Sequence, residues 1–248
     1  MNPNDMRPQD AEASGDRTPA AVVDARHLGD ISAESLESLP GPDPSATARI
    51  RRVYERNAPF YDFMEWLAER RFRPWRARLW SRLRGPRVLE VGVGTGKNLA
   101  HYPTGISVTA IDLTPGMIRR AIQRARALRQ GTVGLGLGDV QLLGFPEASF
   151  DAALATFVFC SVPDPVLGLS ELRRVVRPGG QLLLLEHVRS PDALVGAFMD
   201  LVNPLVVRLT GANINRPTLE NIVRSGWELR ALEDLGARGV FKLIEASR

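Results

Sequence analysis

The feature that most constrains this chain is the stretch RVLEVGVGTGKNLAHYPTGISVTAID, residues 87–112. Its first part, VLEVGVG, is an apolar run ending in glycines, as expected of a strand buried on both faces of a parallel sheet. A helix should start around Lys97, and SVTAID (107–112) reads as a second strand. The alternation then repeats. TPGMIRRAIQRARALRQ (114–130) has helical periodicity, a Thr114 cap and Pro115 at the first helical position. GTVGLGLGD (131–139) is the third strand and FDAALATFVFCSV (150–162) the fourth. DPVLGLSELRRVVRPGG (164–180) is a helix stopped by Pro-Gly-Gly, and QLLLLEHV (181–188) is the fifth strand. Strands alternating with helices imply right-handed crossovers and a doubly wound α/β sheet. The end departs from this rule. WELRALEDLGARGVFKLIEAS (227–247) holds two strand-like runs around Gly236 and Gly239, too close for a crossover helix, so a terminal antiparallel hairpin is expected.

Ahead of this core, residues 1–46 are rich in Pro, Asp, Ser, Ala and Glu and poor in large apolar residues, which predicts a disordered acidic tail. From residue 47 to 85 the spacing of Ile50, Val53, Tyr54, Phe60, Met64 and Leu67 predicts a cap of helices broken near Pro59 and Pro74. Nine acids against three arginines give residues 1–48 a balance of −6, leaving +10 for the remainder of a chain whose formal total is +4. Such a domain attracts polyanions, anionic lipid or nucleic acid, although 30 of the 32 basic residues are arginine, and a compositional bias has the same look. One cysteine and three histidines exclude a disulfide within the chain and leave little for a metal site, so no metal is expected. The beginning of the chain lacks the pattern of a secretory leader, and no uninterrupted run of 18 apolar residues is present, so the expectation is a cytoplasmic protein without a membrane span.

Ligands of doubly wound sheets bind at the carboxyl ends of strands, which directs attention to Gly92, Gly94 and Gly96. Their G-x-G-x-G spacing lets backbone approach a ligand but does not alone say which, and a nicotinamide enzyme would show G-x-G-x-x-G. Three acids narrow the choice. Glu90 precedes the loop, where it could accept from a ligand ammonium directly or through water. Asp112 closes the second strand, where an acid can take both ribose hydroxyls. Asp139 closes the third, where a carboxylate can accept from an adenine amino group beside the Val140 N–H. Each acid alone reads equally well as a cap or turn former; three at successive strand ends do not.

Taken in order, Glu90-Val-Gly-Val-Gly-Thr-Gly96, Ile111-Asp112, Gly138-Asp139-Val140, Phe150-Asp151 and Arg177-Pro-Gly-Gly180 resemble the class I S-adenosylmethionine-dependent methyltransferases over roughly residues 50–248. The resemblance implies a Rossmann-like seven-stranded sheet whose last strand is antiparallel, with S-adenosyl-L-methionine held by Glu90, Gly92, Gly94, Gly96, Asp112, Asp139 and Val140. Tyr54-Glu-Arg-Asn-Ala-Pro-Phe-Tyr61-Asp62 resembles the Y-x-x-x-A-x-x-Y-D segment of ubiquinone/menaquinone C-methyltransferases and bacterial phosphatidylethanolamine N-methyltransferases, which implies that Tyr61 helps close over the cofactor; the two tyrosines also suit ordinary core packing. VLEVGVGTGKNLAHYP, FVFCSVPDP and Leu-Glu-His-Val resemble membrane-associated thiol S-methyltransferases as well.

The acceptor side is less legible. Residues 190–226, inserted between the cofactor-binding core (86–189) and the hairpin (227–248), form the expected lid region: the stretch 190–218 is more apolar than a surface helix requires and reads as a lid or lining for a hydrophobic acceptor, or as core, while Asp200 and Arg208, with Pro204, count against a membrane span. His187, ending the fifth strand, is the candidate general base or acceptor-orienting residue, against a structural histidine. Asn213, Asn215 and Arg216 suit either a head group or a helix cap, and Cys160 is assigned to packing beneath the site. Seven arginines between Trp66 and Arg84, interleaved with Trp66, Phe72, Trp75 and Trp80, suit a helix resting on an anionic membrane, RNA stacking or a solvated face. The expected partner is therefore a small or lipophilic acceptor with peripheral contact to the inner face of a membrane, phosphatidylethanolamine-type N-methylation being favoured over quinone C- and thiol S-methylation. No Asn/Asp-Pro-Pro-Tyr/Phe tetrapeptide follows the fourth strand, which argues against RNA bases; an RNA or protein methyltransferase, or a non-catalytic binding module, is the contrasting class.

Overall fold

The computed structural model describes residues 22–23, 41–130 and 133–248. Most of the acidic tail lies outside these residues. Its described parts are a two-residue strand, Val22–Val23, and the start of the first helix, which Asp43 caps by accepting from the Ser45 and Ala46 N–H groups. Seven longer strands follow: β1 Arg87–Val91, β2 Ser107–Asp112, β3 Val133–Leu137, β4 Phe150–Thr156, β5 Val176–His187, β6 Glu228–Asp234 and β7 Phe241–Ser247. The sheet runs Val22–Val23, β3, β2, β1, β4, β5, β7, β6. Strands β3, β2, β1, β4 and β5 are mutually parallel, β7 is antiparallel to both β5 and β6, and Val22–Val23 is antiparallel to β3. Strand order reverses at β1, so the crevice of a doubly wound sheet opens beyond its carboxyl end.

Helices α1 Pro44–Asn57, α2 Tyr61–Met64 and α3 Trp66–Trp80 precede the sheet; α4 Pro115–Ala127, α5 Pro165–Val175, α6 Ala193–Thr210 and α7 Thr218–Arg224 are interleaved with it. Alternation along the strands supplies two core faces. On one, Leu89, Val91, Ala153, Leu182 and Leu184 pack with Leu169 and Leu172 of α5 and Ile222 of α7. On the other, Val88, Leu154, Leu183 and Leu185 pack with Leu79 and Trp80 of α3 and Ala121 of α4.

Boundaries moved where local geometry overrode pattern. β4 stops at Thr156 because Phe157 takes φ 57°, a left-handed turn that ends the ladder. The break near Pro59 is present, as a short 3-10 turn over Ala58–Phe60, but α3 continues through Pro74. Pro74 is exposed, so the Arg70 carbonyl that loses its helical partner can face water. The helix expected at Lys97 is a 3-10 segment, Lys97–His101.

Packing also dismantles the arginine-rich face expected of residues 66–84. Arg76 is buried, donating to Glu69 and Asn98; Arg78 and Arg82 pair with Glu233, and Arg84 with Glu245. Trp80 is buried, and Phe72 and Trp75 pack against Phe241 with tilted rings. Trp66, Arg70, Arg71 and Arg73 stay on the outer surface, as do Arg78 and Arg84, whose charges are paired.

Candidate active site

A cleft of about 750 Å³, counting its open mouth, lies at the carboxyl ends of β1–β4. Its floor is the loop after β1. Gly92 adopts φ 65°, and a Cβ there would sit 2.4 Å from the Val158 side chain; Gly96 adopts φ 81°, and a Cβ would press on Leu99 and on the Ala121 backbone of α4. Both positions therefore require glycine. Gly94 lines the cleft, while Gly96 acts beneath it by letting α4 approach.

Asp112 is buried at the end of β2 and faces the cleft. One carboxylate oxygen accepts from the Gly94 N–H and the other from the Thr114 N–H, both at 2.9 Å. Burial raises its pKa, and those two backbone bonds oppose the rise. Asp139 and Val140 also line the cleft. Asp139 accepts from the Gln141 N–H at 2.9 Å and from Thr47 Oγ1 at 3.3 Å, so α1 is fastened over the third strand end.

Glu90 is placed differently from the expectation that it meets the ligand. Alternation along β1 points Val91 toward the cleft side and Glu90 to the opposite face, under Lys97–Tyr102. It is buried, accepting from Asn98 Nδ2 at 2.7 Å and from the Tyr102 hydroxyl, and burial pushes its pKa up to about 7. Its link to the cleft runs through Asn98, which also donates to Thr156 Oγ1 at 3.0 Å.

The roof comes from α1 and α2. Ile50, Tyr54 and Tyr61 line the cleft, with the two tyrosine rings 6.4 Å apart and the Tyr54 hydroxyl 2.5 Å from Ser161 Oγ. Burial raises the pKa of both phenols, so they stay neutral. The residue after Tyr61 fastens this roof: Asp62 accepts from Thr95 Oγ1 of the glycine loop at 2.6 Å and from Arg124 of α4 at 2.8 Å. Lys97 adds an ion pair to Glu65 and lies 5.3 Å from the Tyr61 ring centroid.

The remaining wall is the segment after β4, Phe157 to Pro163. Glu186, on β5, holds it by accepting from the Val158 and Phe159 N–H groups at 2.8 and 3.0 Å. Sequence reasoning passed over Glu186, although an acid inside the apolar run QLLLLEHV was a visible signal. Cys160 is buried, its thiol pushed up to about 12 by burial. Asn213 and Arg216 donate to the carbonyls of Cys160 and Val162, bracing this wall from behind, and Asn215 donates to Asp200.

His187 does not reach the cleft. It ends β5 on the α3 side of the sheet, stacked on Phe157 with ring centroids 6.3 Å apart and 20° between planes. Its Nδ1 is buried without a partner, and burial depresses its pKa to about 4, so it is neutral at pH 7. Phe157, which lines the cleft, is the neighbour it supports. The predicted lid departs as well. Only Gly196 and Met199 of α6 are buried, its apolar side chains face outward, and what reaches the wall is the loop that follows.

Comparison with known proteins agrees with this geometry. Residues 89–184 match the family model of the methyltransferase domain. Phosphatidylethanolamine N-methyltransferase of Cereibacter sphaeroides is 40% identical over 105 residues, 42% of this chain and 52% of that one. Demethylmenaquinone methyltransferase of Tropheryma whipplei (strain Twist) is 34% identical over 160 residues, covering 62% and 65%. Thiol S-methyltransferase TMT1B of Mus musculus is 35% identical over 108 residues, covering 42% and 44%. The chain thus spans between 44% and 65% of the length of these three relatives. Among solved structures, the [4+2]-cyclase SpnF superposes with a TM-score of 0.67 at 19% identity, covering 84% of this chain and 98% of that one. A methyltransferase of Thermotoga maritima gives 0.61 at 20% identity, covering 79% and 98%. Identities this low speak for the fold alone. The glycine loop fits the family's cofactor: Gly94 leaves open space where a Cβ would stand, and carboxylates close the next two strands. Residues 89–184 thus form a methyltransferase domain, on a fold shared with S-adenosylmethionine-dependent methyltransferases.

Proposed function

We propose that the protein transfers a methyl group from S-adenosylmethionine to a lipophilic acceptor, with phosphatidylethanolamine-type N-methylation favoured. The observation that carries this reading is the make-up of the cleft. Its ionisable side chains are Asp112 and Asp139 on the floor and Tyr54 and Tyr61 in the roof, while Ile50, Phe157, Val158, Val162 and Pro163 give an apolar wall. Bound, the cofactor supplies an electrophilic methyl group on a sulfonium, so the protein has to align the acceptor and exclude water.

Asp112 would hold the ribose hydroxyls, with Asp139 and Val140 at the adenine and the Gly92–Gly96 loop under the carboxylate-bearing end. Glu90 and Gly96 are supports for that loop. Tyr61, pinned through Asp62, closes over it from above. An amine suits these walls: the head-group ammonium gives one proton to water before it enters, the neutral nitrogen attacks the methyl carbon with its lone pair as the sulfonium C–S bond breaks to S-adenosylhomocysteine, and the product leaves as a methylated ammonium, so no side chain has to take a proton during transfer. The Cereibacter relative's N-methylation points the same way. Quinone C-methylation has its own support in the Tropheryma relative, which matches more of this chain. Thiol S-methylation is supported by the mouse relative. The [4+2]-cyclase among the structural neighbours carries this fold under a different named activity, which marks the contrasting class.

Turnover of methyl-labelled cofactor against phosphatidylethanolamine, a demethylated quinol, small thiols and RNA tests the reading. Label appearing in phosphatidylethanolamine is expected. Label in RNA alone, or in none of the four while S-adenosylhomocysteine still binds, overturns it.

A further inference from the structure

Two apolar stripes stand in the open beside the cleft. On α6, Leu194, Phe198, Leu201, Leu205 and Leu209 recur every three or four residues and are 60 to 81% exposed. At the corner of α2 and α3, Phe60, Phe63, Met64 and Leu67 repeat that spacing at 62 to 85% exposed. Helical stripes of this kind normally face a core. Both adjoin the roof of the cleft: Gly211, which caps α6, packs on Ile50, Val53 and Tyr54, and Tyr61 lies between Phe60 and Phe63.

α6 is long and apolar enough to cross a membrane by length and composition, which scattered charges and a proline had counted against at the level of sequence. Its attachments keep it along the surface. At one end Ser190 Oγ donates to the Arg238 carbonyl and the Ser190 N–H to Met199 Sδ. At the other the Ile214 N–H donates to Asn203 Oδ1, and Gly211 abuts α1. A helix about 27 Å long with both ends fastened to one domain lies in an interface rather than through it.

Charge around the corner has one sign on the outside. Asp62, Glu65 and Glu69 turn inward to Arg124, Lys97 and Arg76. Arg70, Arg71 and Arg73 stay exposed beside Trp66, with the Arg70 guanidinium 5.1 Å from its ring centroid. This complements anionic headgroups and repels a second copy of the same face.

We infer that the α6 stripe and the α2–α3 corner form a lipid-docking face that seats the protein on an anionic bilayer beside the opening through which the acceptor enters. Docking is measured without any acceptor, so it stands or falls separately from the methyl-transfer reading: vesicle binding without lipid methylation would break that reading and leave this one intact.

The test is co-sedimentation of the full chain with phosphatidylglycerol/phosphatidylcholine vesicles, with phosphatidylcholine vesicles as comparison. Binding to the anionic vesicles is expected, weakening at least about tenfold as salt rises from ~0.1 to ~0.5 M. Trp66 is the exposed one of four tryptophans, so its emission should shift to the blue on binding, and the shift should vanish in Trp66→Phe. Replacing Leu201 and Leu205 together by glutamate should reduce partitioning by roughly tenfold or more. Replacing Arg70, Arg71 and Arg73 by glutamate should cost about fivefold per arginine. Unchanged affinity for S-adenosylhomocysteine by calorimetry verifies that the variants fold. Wild-type protein that ignores anionic vesicles at low salt overturns the inference. So does a leucine variant that sediments like wild type, or one that merely turns a dimer into a monomer by light scattering, which would assign the face to a second copy.

Discussion

The two sides of the cleft are built by different rules. The floor is local: Gly92, Gly94 and Asp112 belong to one strand–loop–strand unit, and the acid that closes β2 reaches back to the Gly94 N–H of the loop before it. The roof and far wall are assembled from pieces scattered along the chain, with Tyr54 of α1 bonded to Ser161 after β4 and the same wall clamped by Glu186 of β5 and by Asn213 after α6. A floor made from adjacent residues keeps its shape when the acceptor side changes, which is how one fold comes to serve acceptors of different chemistry.

The comparison breaks most visibly at Asp112. Asp112→Ala removes two charge-assisted hydrogen bonds to backbone and the proposed ribose contact, so affinity for S-adenosylhomocysteine by calorimetry should fall by about a hundredfold or more. Wild-type affinity would remove Asp112 from the floor.

Glu90 sharpens the contrast between floor and support. With its folded pKa raised to about 7 from 4.5, the buried carboxyl favours folding fully below the unfolded pKa, and that contribution is lost as pH rises through about 7. The same applies to Glu186, which burial also raises to about 7. Stability followed by thermal unfolding should therefore decline between pH 5 and pH 8, with at most about 3 kcal/mol from Glu90. Glu90→Gln should flatten part of that slope; a slope as steep as wild type would mean that Glu90 is ionised in the folded protein.

The far wall gives smaller effects. Tyr54→Phe loses the bond to Ser161, about 1 kcal/mol, and should raise the acceptor KM by roughly fivefold while cofactor affinity holds within about twofold. An equal loss on both sides would show the roof to be part of the floor. The smallest effect is expected at His187. Stacked on Phe157 and away from the cleft, it should tolerate glutamine with kcat within about threefold of wild type and no change in the pH–rate profile. Loss of an inflection near the histidine range would restore it as a base.

Much of this was readable from residues alone. The apolar runs, the glycine spacing and Pro115 placed the strands around the floor, because each is a short-range preference of backbone and side chain. SVTAID was bounded correctly at both ends for that reason. Where the reading slipped, a long-range contact had intervened. Glu90 was taken for a ligand contact, yet its strand parity turns it toward Asn98 and Tyr102. His187 was placed at the reacting centre because it ends a strand, but β5 presents it to Phe157. The arginines of residues 66–84 looked like one basic face until β6 supplied Glu233 to Arg78 and Arg82, and β7 supplied Glu245 to Arg84. The apolar run of 190–218 looked like a lid because sequence counts apolar residues without saying which way they face.

By itself the sequence determined the doubly wound sheet and the terminal hairpin, since both follow from periodicity and turn chemistry within a few tens of residues, and it marked the floor by its glycines and strand-end acids, whose cofactor the family resemblance implied. Only the tertiary structure decided the make-up of the roof, the retreat of His187 and Glu90 from the cleft and the outward turn of the α6 stripe. Those depend on which residues, remote in sequence, occupy the space beside each side chain, and it is this neighbourhood that sets burial, charge pairing and the direction in which a helix shows its apolar face.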